Sequence, residues 1–225
     1  MSNSGENKPS IVFFGSGPVA AQSLQLLVTR FTIEAVVTKP RPAHHKGEVP
    51  VLALADSLGL PIVTADTKQT LSQVISEQHF TSTVAVLIDF GIIVDQDVID
   101  TFPLGIVNSH FSLLPEWRGA DPIAFSLLSG QQEAGVSLML LVRAMDEGPL
   151  IAQAPLAIEP TDTITTLTES LIELSFHALA EVLPEYLKGV VTPAPQESVT
   201  LAASLTPTYS RKLTKSDAVL EFTKP

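Results

Sequence analysis

Short runs of β-branched and aromatic residues alternate with helix-length amphipathic stretches through the first half of the chain, and this alternation limits the fold more than any other feature. Residues 11–14 precede 19–30, 33–37 precede 51–58, and 61–63 precede 67–78; the series continues through 84–88, 96–101 and 105–109. Such a series predicts an α/β domain with a mainly parallel sheet and helices on both faces. Beyond "HFSLLPEWRGA", residues 121–128 read as a helix with Asp121 as its N-cap. "GVSLMLLV" and "LIAQAPLAI" read as two strands around "RAMDEGP", and 163–188 as a helix that Pro184 interrupts near its end. Residues 189–208, rich in Pro, Thr, Ser and Ala, read either as a wrapping segment or as the start of a linker.

At 225 residues the chain can bury a sizeable core in a single compact domain. Its 13 basic and 24 acidic residues give a formal charge of −11, which opposes tight nonspecific binding of nucleic acid except at a local basic patch. With zero cysteines, disulfides, thiol catalysis and thiolate metal sites are excluded. The polar start "MSNSGENKPS" does not lead into a signal-length apolar run, and no membrane span is expected, so the expected location is the cytoplasm.

"IVFFGSGPVAAQSL" sets Gly15, Gly17 and Ala20 at the spacing of a dinucleotide-binding turn. A ribose-binding acidic residue should then end the second strand, but that strand ends "EAVVTKPRP". Thr38, Lys39 and Arg41 suit a 2′-phosphate instead, which leaves an NADP reading open beside a simpler one. Glycines at a strand-to-helix turn let the chain reverse tightly and leave helix amides free for any anion.

The densest chemical signal is "GIVNSHFSLLPEWRGADPI". In an extended segment the side-chain period is two, so Asn108 and His110 share a face while Ser109 takes the other. An amide and an imidazole then stand where a strand gives way to a loop, at the carboxyl end where ligands gather in open α/β sheets. Neither belongs in a core for packing alone. His110 either braces the loop or does chemistry. Asp146, in the turn "RAMDEGPL", either stabilises that turn or reaches back to the histidine and fixes its tautomer.

"NSHFSLLPEWRGADPI" resembles the N-x-H…SLLP-x-(W/Y)RG signature of formyltransferases that use 10-formyltetrahydrofolate, and "MDEGPLIAQ" resembles their aspartate-bearing loop. "KPRPAHHKGEVPVLALADSLGLPI" is similar to the segment between that family's second and third strands, and "VLIDFGIIV" to its folate-cleft strand and loop. "TPTYSRKLTKSDAVLEF" is similar to the end of the catalytic domain in the methionyl-tRNA branch. The resemblance runs from Ser10 over nearly the whole chain, and the joint occurrence of the motifs makes it specific.

The resemblance implies a Rossmann-like domain without a nicotinamide cofactor, and transfer of a formyl group from 10-formyltetrahydrofolate, without a metal, to the amine of methionyl initiator tRNA. Asn108 would then be an oxyanion donor, His110 a proton carrier and Asp146 the residue that orients it. Ser112, Leu113, Leu114 and Pro115 match the folate-site stretch, with the loop around Arg143 nearby. Phe90 and Ile92 would line an apolar wall or serve the core. Gly15, Ser16 and Gly17 would flank the acceptor cleft, with Lys39, Arg41 and Lys46 facing the acceptor. Trp117 and Arg118 either hold the loop or, for Arg118, meet a phosphate.

Residues 1–205 would be the catalytic domain and 206–225 the start of a linker towards a C-terminal β-barrel beyond this chain. The products would be formyl-methionyl-tRNA and tetrahydrofolate, and the enzyme a monomer. The chain departs from the family pattern at His44-His45, Glu116 and Asp121, where basic or small residues are common. An amino sugar on a nucleotide is an alternative acceptor. Water is another, which would make the chain a formyltetrahydrofolate hydrolase, and folate binding without turnover is a third reading.

Overall fold

Five strands build the first part of the sheet: β1 (Ser10–Phe14), β2 (Thr32–Thr38), β3 (Ile62–Thr64), β4 (Ala85–Leu87) and β5 (Ile106–His110). The structure is a computed structural model that describes residues 8–44, 47–199 and 206–218. Two longer strands, β7 (Glu133–Leu140) and β8 (Leu150–Ala157), follow a two-residue strand, β6 (Arg118–Gly119). The main sheet has the order β3-β2-β1-β4-β5-β7-β8. Its first five members run parallel, whereas β7 is antiparallel to both β5 and β8. A separate parallel pair joins β6 to β9 (Tyr209–Ser210).

Helices cover both faces, as the alternation predicts. Along β1, Ile11 and Phe13 pack with Leu24 and Leu27 of α1 (Pro18–Leu27), Val51 and Ala55 of α2 (Pro50–Ser57) and Leu171 and Leu179 of α6 (Ile164–Leu187). Val12 and Phe14 turn the other way, towards Leu71 and Ile75 of α3 (Lys68–Ser76) and Val98 and Ile99 of α4 (Gln96–Ile99). A period of two thus feeds two apolar layers from one strand. Capping boxes start α3 at Thr67 and α6 at Thr163, satisfying backbone donors that the first turn leaves unpaired.

Two local expectations need correction. Helix α5 (Pro122–Leu128) forms where expected with Asp121 at its N-cap position, where the carbonyl accepts from the Phe125 amide at 3.3 Å, but the Asp121 side chain makes no capping hydrogen bond. Its backbone is left-handed at φ 56°, and its carboxylate accepts from the Leu213 amide at 3.2 Å. Pro184 does not interrupt α6, which runs on to Leu187. Proline so near the end removes only one amide donor, while Leu183 and Tyr186 stay buried and the Tyr186 hydroxyl donates to the Leu104 carbonyl at 2.7 Å. Of the segment 189–208, Ala194 exchanges backbone hydrogen bonds with Leu150 at 2.8 Å in both directions, and α7 (Gln196–Val199) follows it. This stretch wraps the sheet. Residues 200–205, where the expected domain boundary falls, lie outside the described residues.

Candidate active site

Strand β5 ends in Asn108-Ser109-His110, and its pleat sorts the three. Ser109 faces α6, where its hydroxyl meets that of Ser175 at 2.7 Å. Asn108 and His110 take the opposite face and are 8% and 7% exposed. The loop 141–149, between β7 and β8, brings a carboxylate to them. Asn108 Nδ2 donates to Asp146 Oδ1 at 3.4 Å, and His110 Nδ1 stands 3.9 Å from Asp146 Oδ2. Oδ2 also accepts from the Gly119 amide at 2.7 Å. Asp146 itself is left-handed, φ 53°, a backbone state that Asp tolerates better than most residues. Gln196 keeps it there by donating to the carbonyls of Asp146 at 2.8 Å and Gly148 at 3.0 Å.

The imidazole is fixed by a different group from the one expected. His110 Nε2 lies 2.9 Å from the Trp117 carbonyl oxygen. A carbonyl only accepts, so Nε2 carries the hydrogen and the neutral ring presents a bare Nδ1. Asp146, at 3.9 Å, is too far for a hydrogen bond but close enough to stabilise the ring once Nδ1 gains a proton. The trio therefore combines a loosely held amide donor, a histidine with one free nitrogen and a buried carboxylate. Such a set can stabilise a developing oxyanion and carry a proton.

The loop after β5 is wound tightly. Ser112 and Leu114, each 1% exposed, turn inward. The Ser112 hydroxyl donates to the Glu116 carbonyl, and Leu114 packs with Met139 and Leu150. Ser137 Oγ donates to the Ser112 carbonyl at 2.6 Å and accepts from the Leu114 amide at 2.9 Å. The peptide between Leu114 and Pro115 is cis. Leu113 lies against Gly135, where an added Cβ would come within 2.5 Å of Leu113 Cδ2. Ser112 and Leu114 thus shape the loop rather than line a cleft. Phe90 also belongs to the core, 2% exposed with its ring edge-on to Phe14 at 5.4 Å. Ile92 is half-buried beside the same cluster. Arg143 is exposed, as are Met145 beside Asp146 and Ile93 in the loop after β4.

Arg118 does not present its guanidinium to an acceptor phosphate. It is buried, with Nη2 donating to Gln196 Oε1 at 2.7 Å and Nη1 3.3 Å from Glu147 Oε1. It braces the Asp146 loop, the first of the two roles the sequence allows. Amides of the glycine turn are likewise committed: Gly15 donates to the Val37 carbonyl at 3.1 Å, Ser16 and Gly17 to that of Asp89 at 3.0 and 3.4 Å. The Ser16 hydroxyl donates to the Phe90 carbonyl. The Asp89 carboxylate lies over Gly17, 1.8 Å from where a Cβ would stand. These amides are therefore not free for an anion, and the dinucleotide reading loses its physical basis.

Asp89 was not singled out by the sequence motifs, although an acidic residue inside the apolar run "VLIDFG" is a signal. The residue is exposed, yet desolvation of its carboxyl against the turn raises it above the ordinary Asp range, with Asp121 adding to this and Lys39 and Lys212 opposing it. Lys39 Nζ donates to the Gly91 carbonyl at 2.9 Å, and Arg41 is exposed. Lys46 and His45 lie outside the described residues. Thr208 and Ser210 lie in the family-like stretch that begins at Thr206, and Gln196 in a loop-like one, but no pattern marks any of the three side chains as bearing on the site.

A protein-family model described as formyl transferase matches residues 20–183. Among curated relatives, a methionyl-tRNA formyltransferase from Roseiflexus sp. (strain RS-1) is 34% identical over 221 residues, covering 96% of this chain and 66% of the relative. One from Myxococcus xanthus (strain DK1622) is 34% identical over 223 residues, covering 97% and 70%. The chain thus spans about two thirds of the length of these relatives. Among solved structures, glycinamide ribonucleotide transformylase 1 from Symbiobacterium toebii superposes with a TM-score of 0.70 at 20% identity, covering 82% of this chain and 90% of that one. An N-formyltransferase from Helicobacter canadensis, solved with folinic acid and dTDP-3-aminofucose, gives 0.69 at 17% identity, covering 91% and 71%. At these identities the solved structures bear on the fold alone.

Proposed function

The chain belongs to the formyl transferase family, and from that premise we propose that it transfers the formyl group of 10-formyltetrahydrofolate to the amine of methionyl initiator tRNA. One observation carries the reading: Asn108 and His110, side by side at the end of β5, converge on the single carboxylate of Asp146. The methionyl-tRNA formyltransferases that match almost the whole chain support this choice of acceptor.

In this reading the amine nitrogen bonds to the formyl carbon, the bond from that carbon to N10 breaks, and one proton moves from the amine to N10. Asn108 Nδ2, held only at 3.4 Å by Asp146, turns to the carbonyl oxygen as negative charge grows there. His110 Nδ1 takes the proton from the attacking nitrogen and returns it to the departing N10. Asp146 stabilises the imidazolium in between. Exposed Ile93 in the loop after β4 and Met145 beside Asp146, 67% and 65% accessible, offer apolar surface to a flat pteridine, with Arg143 on the same loop as Met145. Lys39 and Arg41, at the end of β2, serve the acceptor side. The catalytic domain takes in the segment 208–210, since Tyr209 and Ser210 pair with Arg118 and Gly119. The enzyme acts as a monomer in the cytoplasm. Among the described residues, no helix is long and apolar enough to cross a membrane.

The test supplies purified chain and 10-formyltetrahydrofolate with methionyl initiator tRNA, with a nucleotide-linked amino sugar, or with neither. The expected product is formyl-methionyl-tRNA. Turnover of the sugar alone would reassign the acceptor, and release of formate without any acceptor would make the chain a hydrolase.

A further inference from the structure

We propose that Thr208 is a positioning residue for His110 and acts through the Trp117 peptide. The segment 208–210 reaches back from far along the chain to strap the loop after β5. The Thr208 amide donates to the Pro115 carbonyl at 3.3 Å, and the Thr208 carbonyl accepts from the Arg118 amide at 2.9 Å. In β6 and β9, Arg118 pairs with Tyr209 and Gly119 with Ser210. Between these contacts, Thr208 Oγ1 accepts from the Trp117 amide at 2.9 Å.

Trp117 is where the strap meets the chemistry. Its φ is 56°, a left-handed state that a bulky side chain rarely adopts, so contacts around it must hold it there. Its indole Nε1 donates to Gln131 Oε1 at 2.7 Å, and its ring lies 5.6 Å from that of Phe125. These contacts fix the ring. The peptide is fixed by Thr208 on the amide side, and by His110 Nε2 at 2.9 Å with Ser210 Oγ at 3.3 Å on the carbonyl side. The same carbonyl decides which nitrogen of His110 carries the hydrogen.

Removing the Thr208 hydroxyl oxygen takes the acceptor away from the Trp117 amide and frees the residue to leave its left-handed state. The Trp117 carbonyl then moves off Nε2, and the two tautomers of His110 mix. A ring with its hydrogen on Nδ1 has no free nitrogen facing Asp146. The rate consequence rests on the functional reading above; the tautomer consequence does not.

Thr208→Val keeps the shape and removes the acceptor, whereas Thr208→Ser keeps both backbone reach and oxygen. In the full chain labelled with 15N-histidine, NMR should show His110 protonated at Nε2 in the native protein and in Thr208→Ser, and a mixture in Thr208→Val. His110→Asn identifies the signal. Formyl transfer should fall by about tenfold or more in Thr208→Val, with the KM for 10-formyltetrahydrofolate held within about twofold and the acidic limb of the pH profile displaced. Thr208→Ser should restore all three. A native His110 that carries its hydrogen on Nδ1 overturns the proposal, whatever the variants do. So does a Thr208→Val protein that keeps the native tautomer and pH profile. A mixed tautomer in Thr208→Val, with no transfer to any acceptor by the native chain, sustains the positioning role and sinks the functional reading.

Discussion

Replacing Asp146 with Asn should slow formyl transfer by about three orders of magnitude, and the geometry says why. During transfer His110 Nδ1 becomes positive, 3.9 Å from Asp146 Oδ2. At an effective dielectric of about 20, that separation is worth about 4 kcal/mol, or about 10³ in rate. The two groups are 7% and 9% exposed, so solvent screens them weakly. An amide at this position supplies no charge, and it meets Gly119 N–H and Asn108 Nδ2–H, two donors that previously met carboxylate oxygens. One of its ends must therefore face a donor with a donor, which costs about 1–3 kcal/mol of stability. The assay is single-turnover formylation with saturating co-substrates, beside thermal denaturation of the same preparation. The loss should appear in kcat, because the charge pair exists fully only as the proton moves. A loss below about tenfold, or one confined to KM, would refute the claim that Asp146 stabilises a charged His110.

Two further outcomes follow from support elsewhere in the fold. Gln196→Leu removes the donors to the Asp146 and Gly148 carbonyls and the acceptor of Arg118 Nη2; urea denaturation should show a loss of about 2–4 kcal/mol. Glu34 accepts from the Thr81 amide at 2.6 Å and the Ser82 amide at 2.7 Å. Desolvation acts to raise its carboxyl, but the hydrogen bonds from Ser82 and Thr81 outweigh it and hold the group below its ordinary 4.5. Its stabilising effect is present above that value and is lost as pH falls through the depressed one. Glu34→Gln should therefore lower the melting temperature near neutral pH, by an amount that shrinks as pH falls below the ordinary 4.5.

The scaffold was legible because burial on two faces leaves a mark on every short strand. Ile11 and Phe13 go to one layer, Val12 and Phe14 to the other, and the same period of two puts Asn108 and His110 together. Asp146 was legible as a carboxylate in a turn between two strands. What escaped was anything decided by a backbone atom or by a distant segment. The group that sets the His110 tautomer is the carbonyl of Trp117, which no side-chain pattern reveals. Gln196 reaches the site from a segment that looks like ordinary loop, and Thr208 from a family-like stretch whose position in the fold the sequence does not reveal. Arg118 was visible as a charge next to a ligand loop, but its burial against Gln196 and Glu147 was not. Phe90 was visible as an aromatic residue near a cleft, yet its ring packs on Phe14 in a core that only folding assembles. The glycine turn kept the spacing of a phosphate cradle while the carbonyl and carboxylate of Asp89 occupied it.

Asn108→Ala tests the central claim most directly, that the end of β5 holds the developing oxyanion of formyl transfer. Rapid-quench transfer to methionyl initiator tRNA should fall by about 10²–10³, while 10-formyltetrahydrofolate binds with unchanged affinity and the variant melts near the native protein. A variant that transfers formyl at the native rate would contradict the account, because the only feature that Asn108 adds at this point of the strand would then be dispensable.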